Sequence, residues 1–339
     1  GRWRGPLHGV PVAHKDQFYR IGRVVTCGSR LRADFRPDYT ATLLQRLDAA
    51  GAIDLGGLNM SEFACNGYGL NVLVGRAKNP WNADYIAGGS SSGSAAAVAA
   101  SLVFGSFGSD TGGSVRIPAS ICGMVGLLPT NGRISRYGVM PLSFSLDNAG
   151  PIARTARDCA SLLGAVAGPD PLDPTSSPAQ VPDYGAALGA SLRGRRLAIP
   201  KRHYYEACSA EVRAALMKSL AVFTAQGVEL VEIDVPDPRP MDALGNILIL
   251  SEAAAIHARG LREHGDLYTP LVKSRIEFGF SFSATQYIEA LGLRAPLLAQ
   301  FVDTVFSKAA ALHLPMLSEA VPSMASVEAQ MAGAADLSF

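Results

Sequence analysis

The stretch that most constrains this chain is Gly88-Gly89-Ser90-Ser91-Ser92-Gly93-Ser94, which runs without a break into an alanine-rich apolar segment ending at Phe104. Alanine is the best helix former, and a helix that is apolar on nearly every face has to be buried. The pattern predicts a buried helix over 94–104. The small polar residues just before it must follow it into the interior. There they supply main-chain amides and hydroxyls at the positive end of a helix dipole, where an anion is favoured. A flexible loop closed by an N-cap serine accounts for the same residues.

Other segments give alternating helix and strand signals. Residues 9–15 are a short apolar strand ending at Lys15-Asp16, and 41–50 have helical spacing closed by Gly51. Residues 52–58 are a strand, and 155–167 a helix with Thr155 as N-cap. A proline-rich linker follows (Pro169, Pro171, Pro174, Pro178). Strand 195–200, helix 209–226 and strand 228–233 form a strand-helix-strand unit, which implies a parallel sheet with a crossover helix. Residues 239–312 are mostly helical.

Two further segments carry chemical potential. Lys15 ends an apolar strand. Desolvation there would lower its pKa toward neutrality, although a lysine in that position can also snorkel to solvent. In Gly108-Ser109-Asp110-Thr111-Gly112-Gly113-Ser114-Val115-Arg116, two glycines precede a serine. Such a backbone can approach a substrate closely and aim its amides at one oxygen, or it can be a plain glycine turn. Gly89-Ser90-Ser91-Ser92-Gly93 formally matches a G-x-S-x-G nucleophile elbow at Ser91. The preceding Tyr85-Ile86-Ala87 is too short a strand for that motif. The later histidines (His203, His257, His264, His313) show no acid partner. No Gly-Lys-Ser/Thr closes the glycine run, which excludes a P-loop.

Composition removes several classes of function. Thirty basic and 29 acidic residues leave a formal charge of +1, and only 7% of residues are aromatic. Neither figure supports nucleic-acid or membrane-surface binding. The five cysteines (27, 65, 122, 159, 208) are scattered and lack C-x-x-C spacing. Neither a disulfide framework nor a zinc site is expected, and a cytoplasmic location is. There is no run long enough for a spanning helix and no signal peptide. Both ends are expected to be cuts inside a longer protein.

Taken together and in this order, the segments resemble the amidase signature family. Gly88 through Ala97 is similar to its glycine/serine signature, and Asp110 through Ala119 to its nucleophile segment. Cys122-Gly123, Gly126-Leu127-Leu128-Pro129-Thr130, Gly132-Arg133, Ser145-Leu146-Asp147 and Gly150-Pro151 continue the match. Ser90 and Lys15 precede Ser114 by 24 and 99 residues, the spacing of that family's triad. The chain departs from the family at Ala87, where a proline is common.

The resemblance implies an α/β fold in which a large mixed β-sheet is covered by helices on both faces, with residues 1–339 as a single incomplete domain. It implies Ser114 as nucleophile, Ser90 as a bridging serine in a cis peptide, and Lys15 as base. The amides of Thr111, Gly112, Gly113 and Ser114 would form the oxyanion hole, with Asp110 and Arg116 bracing the loop. Met60, Asn66, Gly89, Met140 and Phe144 are expected to contact substrate.

No cofactor or metal is expected. The expected partner is a small-molecule amide, without direct nucleic-acid or membrane contact, and a homodimer is admitted. Hydrolysis of a carboxylic amide by a free-standing enzyme ranks first, with esters, anilides and carbamates as side substrates. The glutaminase subunit of a tRNA-dependent amidotransferase ranks second, because 239–312 carries no clear glutamine-recognition signal. A catalytically dead binding protein ranks third.

Overall fold

The structure is a computed structural model that describes residues 2–336, with side chains described through residue 331. In chain order the elements are β1 (Pro11–Lys15), α1 (Thr42–Ala49), β2 (Ile53–Leu58), α2 (Ser92–Ala99), β3 (Gly105–Asp110) and α3 (Arg116–Ile121). They continue with β4 (Val125–Gly126), β5 (Asn148–Ala153), α4 (Ala156–Val166), β6 (Arg196–Pro200), α5 (Ala210–Ala225) and β7 (Glu229–Ile233). The last are α6 (Arg239–His264), α7 (Pro270–Phe278), α8 (Ala284–Phe306), β8 (Ala311–Leu312) and α9 (Met324–Asp336). They group into two compact units. The first holds residues 1–188, 252–280 and 322–339; the second holds 189–251 and 281–321.

The first unit is built on a mixed five-stranded sheet ordered β2-β1-β3-β5-β4. β1 is parallel to both β2 and β3, whereas β5 runs antiparallel to β3 and β4. Helices cover both faces of β3. On one face, α1 contributes Leu43, Leu44 and Leu47, and α4 contributes Cys159, Leu162, Leu163 and Val166. The α4 positions recur at helical spacing, and its start is fixed by Thr155, whose hydroxyl accepts the Asp158 N–H. These side chains close over Val12, Phe107, Ala149 and Ala153 of the sheet. The other face receives α2. A Cβ on Gly105 would strike Leu162 of α4, whereas one on Gly108 would strike Ser91 at the start of α2. Strand residues of opposite parity point to opposite faces, so β3 lies between two helical layers and all six of its residues are buried.

Two local expectations are revised here. The helix expected over 94–104 stops at Ala99, because Ser101 takes a positive φ of 59° and turns the chain into β3. Residues 105–110, whose glycines and serines carry no strand signal in the sequence, form a central buried strand.

The second unit holds the expected crossover. β6 and β7 pair in parallel and are joined by α5, which Ser209 caps through its side chain. β8 pairs on the other edge of β6, giving the order β7-β6-β8. One small core joins Ala198, Ile233, Val235, Val305 and Ala309; another joins Leu197, Leu220 and Val228. Among the described residues no helix is long and apolar enough to cross a membrane.

Candidate active site

Lys15 ends β1, an inner strand, and is 0% exposed. Its amine donates to Ser90 Oγ at 2.7 Å and to Ser109 Oγ at 2.8 Å. Burial lowers its pKa from 10.5 to about 7, against the opposing pull of the Asp147 and Asp110 carboxylates. A neutral amine is therefore accessible at physiological pH.

Ser90 is also wholly buried, and the Gly89–Ser90 peptide bond is cis. Small residues are required around it. A Cβ on Gly89 would lie 2.7 Å from both Gly69 N and Ser61 Oγ, and one on Gly93 would lie 2.5 Å from Asn59 N. The main chain ties this loop to its surroundings: Ser61 N–H donates to the Ser90 carbonyl at 3.0 Å, and Ser91 N–H to the Ser114 carbonyl at 3.2 Å.

Ser114 thus sits against the serine loop through its backbone, half-buried, two residues before α3. Among the described residues no hydrogen bond joins the Ser114 and Ser90 side chains. The structure brings Lys15 and Ser90 into direct contact and leaves the Ser114 hydroxyl outside it.

The loop from β3 to α3 is organised by Asp110. Its carboxylate accepts from the amides of Gly113 (2.7 Å), Val115 (3.1 Å) and Arg116 (3.3 Å). It also forms a two-pronged pair with the Arg116 guanidinium, at 2.9 Å on each prong. Burial pushes this carboxyl up, but Arg116 and the amides outweigh it and hold its pKa below the usual value. Asp110 and Arg116 therefore brace the loop. The Gly113 amide, expected to serve an oxyanion, is instead committed to Asp110; the expected set narrows to Thr111, Gly112 and Ser114.

Of the five expected substrate contacts, Phe144 alone lines the cavity found beside Ser109, Arg136, Pro141 and Asp147, which measures about 300 Å³. Phe144 is 51% exposed. Met60 is wholly buried, and Asn66 spends its side-chain oxygen on the Tyr68 amide. Gly89 is walled in as described above. Met140 is half-buried, and its sulfur accepts from Tyr19 and Arg32.

Three participants were not singled out from sequence. Ser109 and Gln17 join Lys15 in one chain of hydrogen bonds. The buried Asp147 accepts from Thr111 Oγ1 at 2.5 Å and from the Leu142 and Ser143 amides. Their only signals were position: one residue before Asp110, two after Lys15, and within the Ser-Leu-Asp triplet.

Among the described residues no histidine is hydrogen-bonded to Ser91, the alternative elbow serine. The Ser91 hydroxyl donates to the Ser109 carbonyl at 3.3 Å. His313 is engaged by Tyr205 and Ser219, and His257 by Tyr268.

A mixed α/β fold thus brings a buried lysine against a cis-peptide serine, beside a braced Gly-Gly-Ser loop. The Amidase family matches residues 1–329. The chain belongs to that family, whose members hydrolyse amide C–N bonds. It is 42% identical over 323 residues to a glutamyl-tRNA(Gln) amidotransferase subunit of Geobacter sulfurreducens, covering 90% of this chain and 67% of that one. Among solved structures it resembles an inhibitor-bound vestigial protein complex connected with the origins of an s-triazine catabolic enzyme. That match has a TM-score of 0.89 and 34% identity, covering 94% of this chain and 69% of the other. It also resembles an amidase crystal structure (TM-score 0.84, 32% identity, 95% and 70% covered).

Proposed function

We propose that the chain cleaves a primary carboxylic amide through a serine acyl-enzyme, as the ammonia-releasing component of a tRNA-dependent amidotransferase. Ser114 is the nucleophile, Ser90 the bridge and Lys15 the base. A serine hydroxyl is a weak nucleophile until a neighbour takes its proton. Neutral Lys15 accepts the Ser90 proton while Ser90 accepts that of Ser114, once the Ser114 side chain turns toward it on substrate binding. Catalytic hydrogen bonds often close only in the substrate complex. Attack on the carbonyl places the oxyanion on the amides of Thr111, Gly112 and Ser114. The proton returns through Ser90 to the leaving nitrogen, ammonia departs, and water cleaves the acyl-enzyme.

The observation that carries this proposal is the 2.7 Å contact between a wholly buried Lys15 amine and Ser90. The amidotransferase role rests on the 42% identity to the Geobacter sulfurreducens protein and replaces the free-standing enzyme as first choice. A free-standing amidase is the second proposal, favoured by the likeness to the amidase crystal structure. Ester and carbamate cleavage is kept only as a side activity to be assayed.

The test is ammonia release by the full-length protein from L-glutamine and from a panel of simple amides. An amidotransferase component is expected to be nearly silent by itself and active once its partner proteins are added; strong activity in isolation on simple amides favours the second proposal. Ser114→Ala is expected to lower turnover by about 10³-fold or more, and full activity in that variant would exclude the mechanism.

A further inference from the structure

We infer that Gln17 is a positioning residue that keeps the lone pair of Lys15 free for Ser90 by making Ser109 an acceptor. The inference rests on the proposal that Lys15 is the base. Gln17 is 2% exposed and two residues past the lysine. Its main chain and side chain are both tied to Met140: the Met140 amide donates to the Gln17 carbonyl at 3.1 Å, and Gln17 Nε2 donates to the Met140 carbonyl. Its other side-chain atom, Oε1, accepts from Ser109 Oγ at 2.7 Å, and Ser109 Oγ lies 2.8 Å from the Lys15 amine.

The direction of every bond in this chain follows from donor and acceptor capacity. A carbonyl can only accept, so the Met140 oxygen selects the NH₂ end of Gln17. The Gln17 oxygen therefore faces Ser109 and can only accept, so the Ser109 hydroxyl must donate to it. That hydroxyl has one hydrogen. Only lone pairs remain on the side facing Lys15, and the lysine must donate there. A neutral amine has two hydrogens and one lone pair. With one hydrogen held by Ser109, the second hydrogen and the lone pair remain for Ser90, its other neighbour at 2.7 Å: the amine donates there at rest, and when neutral it can turn its lone pair to the Ser90 hydroxyl with no rival donor at Ser109. Without Gln17, the Ser109 hydroxyl could rotate and donate to the same lone pair, competing with Ser90.

The experiment compares Gln17→Met, Ser109→Ala and the double variant in the full-length protein, assaying ammonia release from L-glutamine or the best simple amide across pH. Gln17→Met keeps the side-chain length and removes both hydrogen bonds. It is expected to lower kcat by about 10- to 100-fold, part of the usual worth of a positioned base, with KM held within about twofold. A hydroxyl donated to the amine stabilises its neutral form. The acid limb of the kcat/KM profile, set by Lys15 at about 7, is therefore expected to move to lower pH.

Ser109→Ala removes the competitor along with the acceptor. The double variant is therefore expected to be no worse than Gln17→Met alone, a non-additive outcome. An unaltered kcat and pH profile in Gln17→Met, or losses that multiply as if independent, overturns the inference. If Gln17→Met does not fold, Ser109→Ala alone decides: kcat lower by about 10-fold at constant KM is expected, and an unchanged kcat overturns it. Lys15→Ala separates the two levels. Activity retained there sinks the base assignment itself, whereas an inactive Lys15→Ala beside an unaffected Gln17→Met sinks only the role of Gln17.

Discussion

At the scale of single residues, Lys15 links the proposed chemistry to stability. Its pKa is about 7 in the fold and 10.5 as the ordinary value, because burial disfavours the charged amine. Between those values the unfolded chain binds the proton and the folded chain does not, so unfolding takes up a proton. By linkage, its contribution makes stability rise with pH across that window; below about 7 the burial cost is fully present. Cys27 works in the other direction at higher pH, since burial pushes its thiol from 9.0 up to about 12, so the clean window is about pH 7 to 9. Lys15→Met, with no charge to bury, is expected to remove a slope approaching 1.4 kcal/mol per pH unit and to be inactive. Urea unfolding at pH 7, 8 and 9 measures this, and parallel curves for both proteins would contradict the burial cost.

At the scale of elements, the glycines of the serine loop and of β3 act through the packing they permit. α2 can approach the segment after β2 only because Gly93 has no side chain; a Cβ there would meet the Asn59 backbone at 2.5 Å. Gly93→Ala is expected to cost about 1–3 kcal/mol, the usual range for overpacking, and to lower turnover by moving Ser90. Thermal unfolding and the amide assay check both effects, and a variant of wild-type stability would show that the loop yields. The same crowding explains what was legible in sequence. α1 and α4 announced themselves, because each buries one face at helical period and has a capping or turn residue at an end; α5, β6 and β7 were legible from the Ser209 cap, the Gly227 turn and their apolar runs. β3 was not: Gly105 and Gly108 are small to admit α4 and the start of α2, and Ser109 is spent on Lys15 and Gln17, which together erase the strand pattern. For the site, Lys15, Ser90 and the Gly-Gly-Ser loop could be read from motif spacing. Gln17 and the engagement of Gly113 by Asp110 could not, because both depend on hydrogen-bond geometry that no spacing records.

At the scale of the whole molecule, apolar surface is unevenly covered. In the second unit, α8 presents Ile288, Leu291, Leu298, Val302 and Phe306, each between 40% and 65% exposed. At 100° per residue these five fall within one narrow stripe of the helix, next to the face that buries Val305 in the small core. A continuous exposed stripe of this kind marks a contact surface or an aggregation hazard, whereas scattered apolar residues need no explanation. The 339 residues produced alone are therefore expected to bind the apolar dye ANS and to self-associate with rising concentration. Leu291→Lys with Leu298→Glu is expected to suppress both without loss of helix content, since neither side chain is buried. Dye fluorescence, light scattering and circular dichroism on the two proteins decide it. Equal dye binding by both would place the sticky surface elsewhere, and loss of helix in the variant would show that α8 packs more deeply than its exposed stripe implies.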